Sequence, residues 1–170
     1  MNILLKTSHG SIYLELYPSK APVTVQNFLD YIDSKFFEGL IFHRVIHDFM
    51  IQSGSWSPDM QFKKPRPNII NEANNGLSNL RGTIGMARDQ GPHTANSQFY
   101  INQKDNFHSD YKSPEQPGYC VFGKVIDGLN TIDSIAKVKV KDIEISNTLL
   151  ESVPVKPVII EKVLRYYISY

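Results

Sequence analysis

The chain has 170 residues, of which 41% are hydrophobic and 21% charged, and its formal net charge at pH 7 is +1. This length and composition predict one globular domain over residues 1–170. A net charge so close to zero gives no electrostatic footprint for nucleic acid or for an anionic membrane, and no apolar run approaches the roughly 18 residues that span a bilayer, so neither partner is expected.

The cysteine content and the N-terminal residues bear on location. Cys120 is the only cysteine of the sequence, so no internal disulfide can form, which fits a reducing compartment. Residues 1–7 contain a short apolar run without the basic segment and the small-residue cleavage site of a secretory signal. We therefore expect a cytoplasmic protein, and we expect it to be a monomer.

The first half of the chain predicts a β-hairpin, a helix and a long loop. Residues 3–7 and 11–17 flank a Ser-His-Gly turn, which is typical of a hairpin. Pro22 suits the first turn of a helix. Apolar residues follow it at the spacing of one helical face: Val25, Phe28, Leu29 and Ile32. Residues 40–52 combine helical spacing with the β-branched and aromatic content of strands, so both structures stay open. Residues 53–79 are rich in Gly, Pro, Asn and Ser and predict a loop.

The second half predicts further short strands and a second helix. Strands are expected at residues 83–87, 98–102, 119–125 and 158–166. The apolar positions of the second helix are Leu129, Ile132 and Ala136. Residues 138–156 form either an extra strand-like segment or a surface for a partner. Short strands joined by loops, with two helices, predict a mainly β fold of the barrel type.

Two stretches carry an unusual set of side chains. Residues 42–52 read Phe-His-Arg-Val-Ile-His-Asp-Phe-Met-Ile-Gln, which combines one arginine and one amide with several large apolar groups. The second stretch contains Gly-Met-Ala-Arg at 85–88, Gly-Pro-His-Thr at 91–94 and Ser-Gln-Phe-Tyr-Ile-Asn at 97–102. In this order and spacing they resemble the signature of the cyclophilins, the peptidyl-prolyl cis-trans isomerases. Blocks at 10–17, 21–28 and 121–128 extend the resemblance over nearly the whole chain.

The resemblance implies a closed eight-stranded antiparallel β-barrel capped by two α-helices. It also implies an isomerase that accelerates rotation about X-Pro bonds in unfolded or flexible protein segments and so assists folding. Such an enzyme requires no cofactor and no metal. Arg88 and Tyr119 stand where the human cytosolic type has asparagine and histidine, so the chain is more similar to the bacterial branch.

The resemblance also assigns roles to particular residues. Arg44 is the expected catalytic group, with Gln98 beside it. The residues expected to bind substrate are Phe49, Met50, Gln52, Ala87, Arg88, Tyr100, His108 and Tyr119. Among them, Phe49, Met50 and Tyr100 match the proline pocket, Gln52 and Gln98 match positions that orient Arg44 or the substrate, and Ala87 and Arg88 match a strand edge that pairs with the bound peptide. Tyr119 matches a hydrogen-bond donor to the substrate.

Many cyclophilins have a tryptophan at the rim of the site, where it contacts cyclosporin. If this sequence is matched to the family without a gap after Gln98, His108 takes that position. A shift of one residue places Phe107 there instead. Ser109 then occupies a position that is apolar in the family. Because of these differences, we expect any cyclosporin binding to be weakened.

Several residues also have a simpler interpretation. Arg44 could form a structural salt bridge, Phe49 and Met50 could be core residues, and the two glutamines could satisfy buried backbone groups. His43 and His47 lie four residues apart, as in a helical metal pair, but no third ligand is nearby in the sequence. A hydrogen-bonded His43 beneath Arg44 is the favoured alternative.

At the level of function, the alternatives are a non-catalytic module that binds proline-containing peptides and, with less support, an RNA-associated module.

Overall fold

A computed structural model describes residues 1–167 of the chain. It contains ten β-strands and two α-helices within that range. The strands are β1 (Asn2–Thr7), β2 (Gly10–Leu16), β3 (Phe42–Ile46), β4 (Met50–Ser53), β5 (Thr83–Met86), β6 (Phe99–Asn102), β7 (Val121–Asp127), β8 (Val140–Ile145), β9 (Thr148–Pro154) and β10 (Ile160–Tyr166). The helices are α1 (Pro22–Asp33) and α2 (Leu129–Ala136), and a short 3₁₀ turn spans Phe107–Ser109.

Eight of these strands form one antiparallel sheet in the order β10-β1-β2-β7-β5-β6-β4-β3. The two end strands meet through a single bridge, Ile41 to Ile159, and through short backbone bonds such as Phe42 N–H to the Val158 carbonyl at 3.0 Å. The predicted mainly β fold with eight strands and two helices is confirmed. The barrel is less fully closed than predicted, since the two ends of the sheet join over only a few residues.

Residues 40–52 are strands, and the alternation of their side chains decides what faces the core. β3 and β4 form a hairpin whose turn, residues 47–49, contains Asp48 in the left-handed region at φ 58°. Val45, Ile51 and Ile101 lie in one cross-strand row and are buried in the interior. Side chains alternate between the two faces of a strand, so their neighbours along the chain face outward.

Aromatic rings fill the interior beneath α1. Phe28 projects from the helix, and its ring centroid lies 5.2 Å from that of Phe37, 5.4 Å from Phe99 and 5.2 Å from Phe122. All four side chains are buried. The predicted apolar face of this helix is therefore the face that packs into the barrel.

The N-terminus of α1 is capped from a distant loop. Pro22 is the first helical residue, as predicted, and Ala21 offers no capping side chain. The carboxylate of Glu72 instead accepts hydrogen bonds from the N–H groups of Val23 at 3.1 Å and Thr24 at 2.9 Å. A negative group at this end accepts hydrogen bonds from two N–H groups that have no partner within the helix. Its charge also interacts favourably with the positive end of the helix dipole. Neither helix of residues 1–167 is long and apolar enough to cross a membrane.

The segment 138–156 contains a separate two-stranded hairpin, β8 and β9. Ser146 and Asn147 form its turn with φ values of 48° and 64°, the conformation that matches the twist of a two-residue hairpin. β9 lies beside β3, whereas β8 is exposed or half-buried along its length. The predicted strand-like structure of this segment is therefore confirmed, and a partner at its surface stays a prediction.

Candidate active site

The outer face of the sheet carries a cavity of about 290 Å³. Nine of the ten predicted site residues line it, together with Ser109: Arg44, Phe49, Met50, Gln52, Ala87, Arg88, Tyr100, His108 and Tyr119. They come from five separate stretches of the sequence. The remaining predicted residue, Gln98, lies outside the cavity lining.

Strand register forms the floor of this cavity. Arg44 on β3 is opposite Gln52 on β4, and Gln52 is opposite Tyr100 on β6. All three therefore project from the same, outward face of the sheet. The row places a guanidinium at one end and an aromatic ring at the other, with an amide between them.

Arg44 is not held by an acid within the part of the chain that the structure describes. Arg66, Arg81 and Arg165 each pair with an aspartate, whereas no ion pair among the described residues includes Arg44. Its side chain is half-buried and faces the cavity. The alternative of a structural salt bridge is therefore wrong, and the guanidinium donors are available to a bound molecule.

The apolar part of the cavity is formed by Phe49, Met50 and Tyr100. Met50 is 2% exposed and Tyr100 is 7% exposed, so both are wall residues, while Phe49 is half-buried in the turn after β3. The His108 ring lies against Phe49, with 5.5 Å between the ring centroids. Phe107 is 58% exposed and does not line the cavity. Of the two candidates, His108 therefore occupies the rim position.

The side chains of Gln52 and Gln98 are hydrogen-bonded to each other. The Gln52 Nε2 donates to the Gln98 Oε1 at 2.8 Å. Gln98 itself lines the neighbouring depression, which it shares with Gln52, Ala87 and Arg88. This bond fixes the two amides relative to each other, and Gln98 reaches the cavity through Gln52.

The side chain of Arg88 is fixed by backbone carbonyls. Its Nε and Nη2 donate to the Gly118 carbonyl at 3.1 and 2.9 Å, and its guanidinium carbon lies 4.5 Å from the centroid of the Tyr119 ring. The Ala87 N–H already donates to the Gln98 carbonyl at 3.1 Å. The Ala87 N–H is therefore not free to pair with a bound peptide, and pairing through the Ala87 carbonyl and the Arg88 backbone stays a prediction.

The surroundings of His43 agree only in part with a hydrogen-bonded histidine beneath Arg44. The residue is 5% exposed on β3, and its Nδ1 is buried without a partner in residues 1–167. Burial lowers its pKa to about 4; the nearby Gln98 side chain opposes this shift and the charge of Arg44 adds to it. His43 is therefore neutral at pH 7.

The helical metal pair is also excluded by the fold. His43 is buried in a strand, whereas His47 is exposed in the turn that follows, so the two residues do not share a helical face. The His47 side chain is 53% exposed and lies 3.8 Å from a carboxylate oxygen of Asp48. Across residues 1–167, no group of three or more His, Cys, Asp or Glu is arranged as a metal site.

The burial of His43 should make stability sensitive to acid. Its pKa falls from 6.5 to about 4 on folding, so between these values the unfolded chain binds a proton that the folded chain excludes. The free energy of unfolding should therefore fall as the pH drops from about 6.5 to 4, by up to ~3 kcal/mol from this residue. Urea titrations at several pH values measure it. His43→Gln should show a shallower acid dependence, and equal slopes for the two proteins would contradict the assignment.

Two residues at the site escaped the sequence interpretation. Gly118 supplies the carbonyl that holds Arg88, and it has φ +59°, with no room for a side chain against the backbone of Asp110 and Tyr111. A Pro-Gly pair indicates a turn, but it does not identify the group that its carbonyl binds. Asn79 hydrogen-bonds to the hydroxyl of Tyr100, and its place in a long loop gave no periodic signal.

Comparison with known proteins agrees with this geometry. Residues 2–164 match the family model of the cyclophilin type peptidyl-prolyl cis-trans isomerases. Peptidyl-prolyl cis-trans isomerase A of Dickeya dadantii is 47% identical over 160 residues, which cover 94% of this chain and 82% of the relative. The isomerase cyp18 of Streptomyces antibioticus is 49% identical over 159 residues, covering 92% and 93%.

A solved structure supports the same assignment. The cyclophilin type isomerase of Cryptosporidium parvum, crystallised in the presence of the dipeptide Ala-Pro, has a TM-score of 0.76 and 25% identity, and 98% of this chain and 99% of that chain are covered. The chain belongs to the cyclophilin-type peptidyl-prolyl cis-trans isomerases. It is an enzyme of a class that needs no cofactor, and its similarity to bacterial members confirms the predicted branch.

Proposed function

We propose that Arg44 accelerates rotation about X-Pro bonds by donating a hydrogen bond to the amide as its resonance is lost. The observation that carries this proposal is the Arg44 guanidinium, which has no acidic partner in residues 1–167 and lies beside an apolar hollow of Phe49, Met50 and Tyr100. In the twisted amide the proline nitrogen becomes pyramidal and basic, and the carbonyl oxygen rotates away from its planar position. A donor positioned for either atom binds the twisted form better than the planar form.

The size of the barrier limits what Arg44 contributes. Rotation about the amide costs ~18–20 kcal/mol, and the uncatalysed exchange takes tens to hundreds of seconds. A time of milliseconds requires about 10⁵-fold acceleration, or roughly 7 kcal/mol. One fixed donor supplies about 2.7–4 kcal/mol. The remainder must come from anchoring the ring and from removing water that stabilises the planar amide.

The other lining residues supply that anchoring. Two aromatic faces and the thioether of Met50 suit a flat ring that is held while the chain beside it turns. Gln52, held by Gln98, lies next to Arg44 and orients it or the substrate backbone. Tyr119 offers a hydroxyl to the substrate, and Ala87 offers its carbonyl oxygen. The Ala-Pro dipeptide used with the Cryptosporidium parvum relative supports proline-containing peptides as ligands, and we extend the proposal to unfolded proteins, which expose such segments.

A protease-coupled assay on an Ala-Pro peptide tests this function. Turnover should vary by less than about twofold between roughly pH 6 and 9, because the proposed step transfers no proton and the buried His43 titrates near pH 4. A steep sigmoid in this range, with the fold intact, would indicate a titrating catalyst. Peptide binding without acceleration would instead support the non-catalytic module.

We also propose that cyclosporin binds weakly and that the chain acts as a monomer. His108 and Ser109 replace larger apolar groups at the rim, which reduces the apolar area available to a hydrophobic ligand.

The exposed strand β8 carries Lys141, Asp142 and Glu144 and a bulge, features that discourage pairing between sheet edges and so favour a monomer. Inhibition curves with cyclosporin and the mass in solution measure the two properties. The cytoplasmic location remains a prediction.

A further inference from the structure

Tyr100 lies across a strand that has no side chain at the point of contact. Tyr100 on β6 is opposite Gly85 on β5, and a Cβ built on Gly85 would overlap the hydroxyl and the Cζ of the tyrosine. The ring can therefore lie flat against the sheet only because residue 85 is glycine. A ring held in this position leaves space above it for the substrate.

The hydroxyl of Tyr100 is fixed by a single buried amide. It donates to the Oδ1 of Asn79 at 2.6 Å, and Asn79 is 0% exposed. Burial raises the pKa of Tyr100 well above its usual value, so the phenol remains a neutral donor. A buried hydroxyl that lost this acceptor would be left without a partner, so the position of the ring depends on Asn79.

The orientation of Asn79 is itself determined by a carboxylate. Its backbone N–H and its Nδ2 donate to the Oδ1 of Asp110 at 2.7 and 2.9 Å, and the hydroxyl of Ser78 donates to the other oxygen of Asp110. An ionised carboxylate only accepts hydrogen bonds, so the Nδ2 of Asn79 must face it. The Oδ1 of Asn79 is thereby directed at Tyr100.

The same network reaches the opposite wall of the cavity. The Nδ2 of Asn102 donates to the Oδ1 of Asn79 at 3.0 Å, and the Nδ2 of Asn106 donates to the Oδ1 of Asn102 at 2.9 Å. Asn106 Nδ2 also donates to the Phe49 carbonyl at 2.9 Å. Three buried amides thus connect the two aromatic walls, which lie on different parts of the chain.

We propose that Asn79 is a positioning residue that sets the depth of the proline pocket by holding the Tyr100 ring across Gly85. This inference rests on the proposed function. The Tyr100 wall contacts the proline ring, which keeps its shape in the planar and the twisted amide, so a misplaced wall acts mainly on binding of the ring. Loss of Asn79 should therefore raise KM more than it lowers kcat.

A double-mutant cycle on an Ala-Pro peptide tests the proposal. Tyr100→Phe should raise KM about five- to tenfold, the usual effect of one neutral hydrogen bond, and Asn79→Ala should raise it at least as much. The double variant should match Asn79→Ala within about twofold, because both changes remove the same bond. The proposal would be overturned if the KM of the double variant rose by the product of the two single increases. It would also be overturned if the variants changed kcat alone. An inactive wild-type enzyme would instead refute the proposed function.

Two further variants keep the test independent of folding defects. Asn75→Ala is the matched control: Asn75 lies in the same loop and its Nδ2 donates to the Val121 carbonyl at 2.9 Å, away from the cavity lining. It should lower stability without changing KM. Gly85→Ala leaves every amide in place but displaces the ring, and we expect KM to rise about tenfold or more. An unchanged KM in Gly85→Ala would overturn the role of ring position.

Discussion

Arg44→Ala should lower kcat/KM on an Ala-Pro peptide by about 10²-fold or more, the loss that follows removal of one fixed donor at a transition state. The fall should lie mainly in kcat, because the guanidinium bonds to the amide most strongly when resonance is lost. The measurement is the protease-coupled assay at several peptide concentrations. Wild-type efficiency in this variant would remove Arg44 from the mechanism.

Arg44→Lys is the matched control for charge. Lysine retains the positive charge but lacks the rigid fork and is more strongly hydrated, so its activity should lie well below that of the wild type. Neither variant should unfold the protein. Arg44 has no ion pair in residues 1–167, so each change should alter the free energy of unfolding by less than about 0.5 kcal/mol. A large loss of stability would show that the side chain has a structural role.

Phe28→Ala should destabilise the protein by about 3–5 kcal/mol. The ring is 1% exposed and lies against Phe37, Phe99 and Phe122, so its removal leaves a cavity where α1 enters the barrel. Urea unfolding should show a lower midpoint with an unchanged m-value. Phe28→Leu keeps most of the buried volume and should cost only about 1–2 kcal/mol.

The active site gives an internal check on this prediction. Phe99 belongs to the ring cluster and immediately precedes Tyr100, yet the two side chains point to opposite faces of β6. Folded Phe28→Ala molecules should therefore retain most of their isomerase activity. An equal cost for the alanine and leucine variants would mean that the ring cluster does not supply the stabilisation.

The sequence predicted those parts of the site that follow from strand alternation and from motif order. Arg44, Gln52 and Tyr100 form a row because a period of two places every second residue on one face, and the family resemblance identified that row. The strand at 83–87 and the helix at Leu129 were predicted to within a few residues of their observed ends. Residues 40–52 stayed ambiguous because their apolar spacing fits both a helix and a buried strand.

The remaining features depend on contacts that leave no periodic signal. The bond from Arg88 to Gly118 joins loops 30 residues apart, and the capping of α1 by Glu72 spans 48 residues. Turn propensity predicts that such loops exist but says nothing about which carbonyl or carboxylate faces which donor. The sequence also could not predict that the buried Nδ1 of His43 has no hydrogen-bond partner in residues 1–167, since this follows from packing rather than from residue type.

The pairing of β1 with both β2 and β10 has a consequence for synthesis of the chain. β1 gains its second neighbour only when residues 160–166 are present, and until then an apolar strand has a free edge. A nascent chain on the ribosome thus exposes the unpaired edge of β1 until residues 160–166 have been synthesised. Chains that stall shortly before Ile160 should be the ones that aggregate or are captured by chaperones.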